Sequence, residues 1–272
     1  MVREFCDAIN IPDNARGVPT MSSSICAQFA IQHGAEPVLH MTTRDRNQLA
    51  IQSELYGAYA IGVRNVLFIA GDHTQFGSHP YTKMVNDLDT MKVLSLTKRL
   101  STGVDFAGDV LEGIPDFYLG ATINPYDGPL DEVIERTLRK RDAGAQFFQT
   151  QAIFNPSRLK EFMSHVDSDL KVLAGIIPLR NSVMAEFMNE FVPGIHVPHE
   201  FIKRLKEAGS GLDEEASMDA MKAEGIQIAL ETIDIVRKID GINGLHLMGV
   251  GWTESIIELV KRTGLYPRPK LE

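Results

Sequence analysis

Short apolar runs alternate with longer amphipathic stretches along this whole chain of 272 residues, and that alternation restricts its fold more than any other feature. A short run bounded by turn residues reads as a buried strand, and a stretch with apolar residues every three or four positions reads as a helix. Strands are expected at Ala8–Ile11, Glu36–Met41, Asn65–Ala70, Phe117–Thr122, Phe147–Gln151, Val172–Ile176 and Gly244–Met248. Helices are expected over Ser22–His33, Arg46–Gly62, Leu88–Leu100, Leu130–Ala143, Pro156–Val166 and Trp252–Thr263, with two or three more before Lys238. The helix ending at Ala143 has a basic last turn, Arg139, Lys140 and Arg141, where cations complement the helix dipole.

Strands that alternate with helices imply parallel pairing through right-handed crossovers. No G-x-G-x-x-G or Walker sequence opens a helix, which speaks against an open dinucleotide-binding sheet. Polar residues instead collect at strand C-termini: Pro12-Asp13-Asn14, His40-Met41-Thr42, Gly71-Asp72-His73, Asn124-Pro125 and Gln149-Thr150-Gln151. A barrel enzyme gathers its chemistry at that rim. The expected fold is therefore α/β, a (β/α)8 TIM barrel, as one domain over residues 1–272 with no long linker. The strands fall one short of the eight that closure needs, and Val2-Arg-Glu-Phe-Cys6 reads as the tail of a helix. The first strand and helix are thus expected to be missing, leaving the domain N-terminally incomplete.

Composition narrows the function class. A chain with 44% hydrophobic and 23% charged residues suits a soluble globular enzyme. A net charge of −9 argues against nucleic acid or an anionic membrane as the main partner. No apolar run has transmembrane length and the N-terminus has no signal-peptide core, so a cytoplasmic location is expected. Cys6 and Cys26 make neither a metal-ligand spacing nor a disulfide framework, and are expected to be buried small hydrophobes.

The densest stretch is Glu36-Pro-Val-Leu-His-Met-Thr-Thr-Arg-Asp-Arg-Asn47. His40 ends a strand, where it either faces a site or packs. The run from Thr42 to Asn47 is rich in hydrogen-bonding groups just before a helix, so Thr43 or Asp45 is expected to cap it.

With its continuation to Ser53, this stretch resembles the third-strand region of methylenetetrahydrofolate reductases, in the bacterial form found in acetogen-like anaerobes. Further matches follow in order: Arg64–Asp72 (R-N-V-L-F-I-A-G-D), Leu119–Pro125 (L-G-A-T-I-N-P), Asp142–Gln151 (D-A-G-A-Q-F-F-Q-T-Q), Ala174–Pro178 (A-G-I-I-P) and Gly244–Trp252 (G-L-H-L-M-G-V-G-W). The similarity runs from Asp7 onward.

The resemblance implies reduction of 5,10-methylenetetrahydrofolate to 5-methyltetrahydrofolate, with FAD (or FMN) relaying a hydride. It implies NAD(P)H or a redox partner subunit as donor, and a homo- or hetero-oligomer. Asp72 would stabilise the 5-iminium cation formed when the one-carbon bridge opens. Gln151 would contact the folate ring and the nicotinamide, its amide both donating and accepting. Flavin contacts would come from His40, Gly71, Asp72 and Lys140, the last as a point charge near the phosphates. Asn86 and Asp87 would serve the ribityl chain or adenosine. The lesser alternatives are Asp72 as a cap after Gly71 and Gln151 as a partner for strand-end backbone, and without the resemblance Lys140 is a solvated basic turn.

Several positions depart from the family's pattern. Pro12 stands for a threonine, Ala70 for an arginine before Gly-Asp, and Thr122 for a flavin-contacting tyrosine. Met184 stands for a substrate-contacting glutamine and Trp252 for a folate-binding arginine. The family's first-strand glutamate, the general acid for ring opening, has no counterpart. Such an acid is typically worth about 10²–10⁴-fold in rate. Glu4 lies in the helix tail and is not assigned that role. Two other classes compete: a catalytically silent flavin-binding subunit of a larger redox complex, and a pterin-dependent methyltransferase barrel that needs no flavin.

Overall fold

The computed structural model describes residues 2–166, 169–192 and 194–268. Within them seven strands alternate with helices. The strands are β1 (Ile9–Ile11), β2 (Pro37–Thr42), β3 (Asn65–Ile69), β4 (Tyr118–Ile123), β5 (Phe147–Ala152), β6 (Lys171–Ile176) and β7 (Ile242–Leu247). The helices are α1 (Ser23–Gln32), α2 (Gln48–Ala60), α3 (Thr90–Leu100), α4 (Leu130–Ala143), α5 (Pro156–Met163), α6 (Ser182–Phe191), α7 (His199–Ala208), α8 (Glu214–Val236) and α9 (Thr253–Arg262). The strands lie in the sheet in chain order, from β1 through to β7. Pairing is parallel, as helical crossovers require: Asn10 sits beside Val38, His40 beside Leu67, Leu67 beside Gly120, and Gly175 beside His246. This is the expected (β/α) barrel-type order, with seven of its strands among the described residues. Three helices, α6 to α8, fill the interval before β7, within the expected two or three.

The starts of α2, α3, α5, α6 and α8 are set by an Asn or Asp whose side chain accepts an amide of the first turn. The helix expected from Leu88 starts at Thr90, because the Asp89 carboxylate accepts from the Lys92 amide. Leu88 and Val93, on either side of that cap, are both buried, the arrangement of a hydrophobic staple. The cap of α2 is neither Thr43 nor Asp45 but Asn47, whose Oδ1 accepts from the Ala50 amide. Asp45 is taken by Arg44, as described below, and Thr43 donates its amide to the Ile69 carbonyl. The segment expected to be a helix tail is a three-residue 3-10 turn, Arg3–Phe5, with Glu4 exposed.

The chain divides into two compact units. One comprises residues 6–122 and 136–148, the other residues 1–5, 123–135 and 149–272. In the first, Leu39, Met41, Val66 and Phe68 are fully or almost fully buried on one face of β2 and β3. The opposite face carries Val38 and Leu67 in a smaller cluster with Phe147. In the second unit, Phe154, Leu179, Ile195, Ile202 and Leu205 form one core, and Ile176, Ile226, Ile233 and Leu259 another. Cys6 and Cys26 are both only partly buried, so their expected place in the core is not borne out. Cys26 lies on α1, where Ala27 turns inward beside it and Ile25 is left exposed.

Candidate functional site

The stretch from Thr42 to Asn47 builds a buried ionic network in the first unit. Arg44 is only 2% exposed, and a guanidinium so placed must have its donors met. Its Nε and Nη2 grip the Asp45 carboxylate in a fork, at 2.7 and 2.6 Å. Its Nη1 donates to the Asp72 carbonyl at 2.8 Å, and Nη2 also reaches the Asn14 carbonyl at 3.2 Å. One side chain at the end of β2 thereby ties down the loop after β1 and the loop after β3. The Asp45 bonds, acting against burial, raise Arg44 above its ordinary pKa, and the Arg44 bond holds Asp45 below the usual carboxylate range.

A second pair supports the first. Asp13 is buried and accepts from the Thr42 amide, the Thr42 hydroxyl and both Nη atoms of Arg46, the shortest at 2.6 Å. Burial opposes the Arg46 charge, but the Asp13 bond and charge raise its pKa all the same.

Asp72 is exposed just beyond β3, and its Oδ2 accepts from the Arg16 amide at 2.8 Å. The segment that offers this amide is strained: Asn14 and Arg16 both have positive φ, 46° and 58°. Residues so held cost roughly 1–3 kcal/mol each unless their surroundings enforce the conformation. Arg44 on the Asn14 carbonyl and Asp72 on the Arg16 amide supply that enforcement. Gly71, just before Asp72, has φ 85°, and a Cβ there would stand 3.1 Å from the Arg44 Cβ and 3.2 Å from the Thr42 Cγ2. The glycine is explained by Arg44 packed beneath it.

The other expected flavin residues fall in the same unit. His40 is partly buried on β2 and shares a face with Val38 and Thr42 by strand alternation. Asn86 is exposed with φ 44°. Asp87 is exposed, and its Oδ2 accepts from the Gln48 amide at 2.8 Å, which makes it an anchor for the first turn of α2. Lys140, half-buried in the last turn of α4, donates from Nζ to the Thr122 carbonyl at 2.7 Å. Of the departures from the family pattern, Pro12 and Ala70 are exposed, Met184 and Trp252 pack against separate cores, and the Thr122 main chain receives Lys140.

Gln151 belongs to the second unit, partly buried near the end of β5, and its Oε1 accepts from the Ala152 amide at 3.0 Å. The group it presents beyond itself is therefore the amide NH₂. Its neighbourhood is tight. The Thr150 hydroxyl donates to the Gln151 carbonyl at 2.7 Å and accepts from the Gly175 amide at 2.8 Å. A Cβ on Gly175 would lie 2.6 Å from the Thr150 oxygen and 2.7 Å from the Gln151 oxygen. Across that gap His246 on β7, paired in register with Gly175, hydrogen-bonds the Thr150 carbonyl. Burial pushes the His246 pKa down to about 4, against the opposing pull of this bond.

Arg44, Asp13, Arg16, Thr150 and His246 do not stand out as candidate site residues from the sequence alone. Arg44 and His246 lie inside motifs that carry the family resemblance, so their positions are visible there but not their partners.

The match to known families spans nearly the whole chain: residues 1–264 fit the family model described as methylenetetrahydrofolate reductase. The chain belongs to the methylenetetrahydrofolate reductase family. Among curated relatives, methylenetetrahydrofolate reductase 2 of Schizosaccharomyces pombe is 23% identical over 263 residues, covering 88% of this chain and 37% of the relative. Methylenetetrahydrofolate reductase 1 of the same yeast is 23% identical over 245 residues, covering 84% of this chain and 35% of the relative. The chain thus spans about a third of the length of these two family members. Among solved structures, an uncharacterized Clostridium thermocellum protein that binds two copies of 5-methyl-5,6,7,8-tetrahydrofolic acid superposes with a TM-score of 0.57. It is 15% identical, with 90% of this chain and 78% of that one covered, a likeness of fold. Among the described residues no helix is long and apolar enough to cross a membrane, and no group of His, Cys, Asp or Glu is arranged to hold a metal ion.

Proposed function

We propose that this chain reduces 5,10-methylenetetrahydrofolate to 5-methyltetrahydrofolate with a bound flavin, FAD or FMN. The observation that carries the reading is an exposed carboxylate, Asp72, at the end of β3, with its main chain anchored on a buried guanidinium. Membership of the reductase family and a structural neighbour that binds methyltetrahydrofolate support a folate substrate.

The residues present fit a flavin. Exposed Asp72 and Asn86, with partly buried His40 and Lys140, offer the acceptors, amide and ammonium that a ribityl chain and phosphates require. Gly71 and Asp87 would act less directly, because Arg44 accounts for the glycine and α2 uses the Asp87 carboxylate. The cofactor, when bound, would supply the hydride, its two electrons being replaced by a nicotinamide or a redox partner subunit.

The protein's part is electrostatic and positional. Asp72 places fixed negative charge where the folate becomes an iminium cation, an interaction stronger in the transition state than in the ground state. Arg16 holds that carboxylate through its amide, so little reorganisation accompanies the charge change. Gln151 offers its NH₂ to an acceptor on the pterin edge.

Reconstitution with excess FAD, then FMN, followed by a visible spectrum and methyltetrahydrofolate oxidation with an artificial acceptor, tests the proposal. Retained flavin with turnover is expected. Protein that keeps no chromophore with either flavin refutes it. Flavin without folate turnover assigns the chain instead to a silent flavin-binding subunit.

A further inference from the structure

We infer that Arg44 is a positioning residue for Asp72, the link that puts the carboxylate where the reaction needs it. The inference rests on the folate-reductase reading and adds a residue to it.

The geometry leaves Arg44 little other purpose. Its guanidinium is buried, and its bonds go to groups that it brings together: the carbonyls of Asn14 and Asp72, and a neighbouring carboxylate that keeps it charged and oriented. The Asn14 carbonyl lies two residues from the Arg16 amide, and that amide meets the Asp72 side chain. A closed circuit results, running from Arg44 through the Asp72 main chain to its carboxylate, on to Arg16 and Asn14, and back to Arg44. The circuit fixes both the backbone and the side chain of Asp72, although Asp72 itself is exposed. A lysine cannot replace it, since an ammonium is a point charge without the planar fork that serves Asp45 and two carbonyls at once.

The test uses the full chain and reads the Arg16 amide directly. In Arg44→Lys, hydrogen exchange at Arg16 should accelerate by about tenfold or more, the loss expected for a charge-linked hydrogen bond, while Ala27 on α1 keeps its protection. If Arg44→Lys does not fold, Asp45→Asn keeps the guanidinium but loosens its fork, and a smaller acceleration at the same amide is expected. Unchanged exchange at Arg16 in the folded variant overturns the inference.

In the flavin-loaded variant, the folate half-reaction should slow by at least about tenfold with flavin content and the donor half-reaction unchanged. Equal slowing of both half-reactions, or faster exchange with an unaffected folate step, also overturns it. Wild-type protein without flavin or folate turnover defeats the reductase reading instead, and leaves the Arg16 measurement to decide whether Arg44 orders Asp72.

Discussion

His246 on β7 hydrogen-bonds the Thr150 carbonyl on β5 across Gly175, whose missing side chain leaves the space for it. The bond holds the peptide that leads into Gln151. Burial of the imidazole, which the bond opposes, makes folding sensitive to pH. The folded pKa of His246 lies near 4, below its ordinary 6.5, so the unfolded chain binds the extra proton first. Stability from this group is fully present above about pH 6.5 and falls as pH drops toward 4. Every pH unit across that window removes about 1.4 kcal/mol, so the whole window is worth roughly 3 kcal/mol. Denaturant unfolding between pH 4 and 7 should show this slope in the wild type and a flatter one in His246→Gln. Parallel curves would mean that the imidazole titrates alike in both states.

Gly175→Ala should destabilise the second unit by about 1–3 kcal/mol, since the added methyl lands on backbone oxygens that cannot step aside. Thermal unfolding measures the loss. A midpoint within a degree or two of wild type would show that β5 and β6 separate more easily than this packing implies.

Gly71→Ala combines a positive φ with contacts near 3.1 Å to Arg44 and Thr42, so a cost of about 1–3 kcal/mol is expected. The folate half-reaction should slow with it, because the Asp72 main chain moves. A variant of full stability with lost flavin would return Gly71 to direct cofactor contact.

Asp72→Asn should slow the folate half-reaction by about 10²-fold or more while flavin reduction by its donor is nearly unchanged. The amide can still accept from Arg16, so the fold is kept and the charge alone is removed. Rapid-mixing traces of the two half-reactions decide it, and equal slowing of both would assign Asp72 to the flavin.

Gln151→Ala should weaken methyltetrahydrofolate binding by the equivalent of about 1–3 kcal/mol and leave flavin content intact. Titration followed by flavin absorbance is the measurement. An unchanged dissociation constant would reduce Gln151 to its bond with the Ala152 amide.

The strands and helices are legible in the sequence because short apolar runs, buried on both faces in β2 and β5, alternate with longer amphipathic stretches, and the strand starts expected at Asn65, Phe147 and Val172 lie within a residue of those observed. The start of α2 is less so. Asn47, Asp45 and Thr43 are chemically similar caps, and only the fork from Arg44 removes Asp45 from the contest. The circuit around Asp72 is not legible at all. Arg44 is 28 residues from Asp72 and 30 from Asn14, and no local pattern announces a buried guanidinium whose partners are carbonyls. The same holds for His246, a residue whose place on a strand can be read while its neighbour on β5 cannot.

Beyond Asp72 the loop after β3 is fastened again farther along. The buried Thr74 donates its hydroxyl to the Thr82 carbonyl, and the Val85 amide donates to the Arg44 carbonyl. Gly77 packs against the Gly17 carbonyl, so only residues 78–81 project into solvent between these fastenings, with Tyr81 97% exposed. The segment is thus a detachable insert: its sequence and length can be exchanged with the Arg44 circuit left standing, since lengthening a loop with fixed ends costs only about 0.6 kcal/mol per doubling. Grafting there offers a way to alter what approaches Asp72 from solvent without rebuilding the residues that hold it.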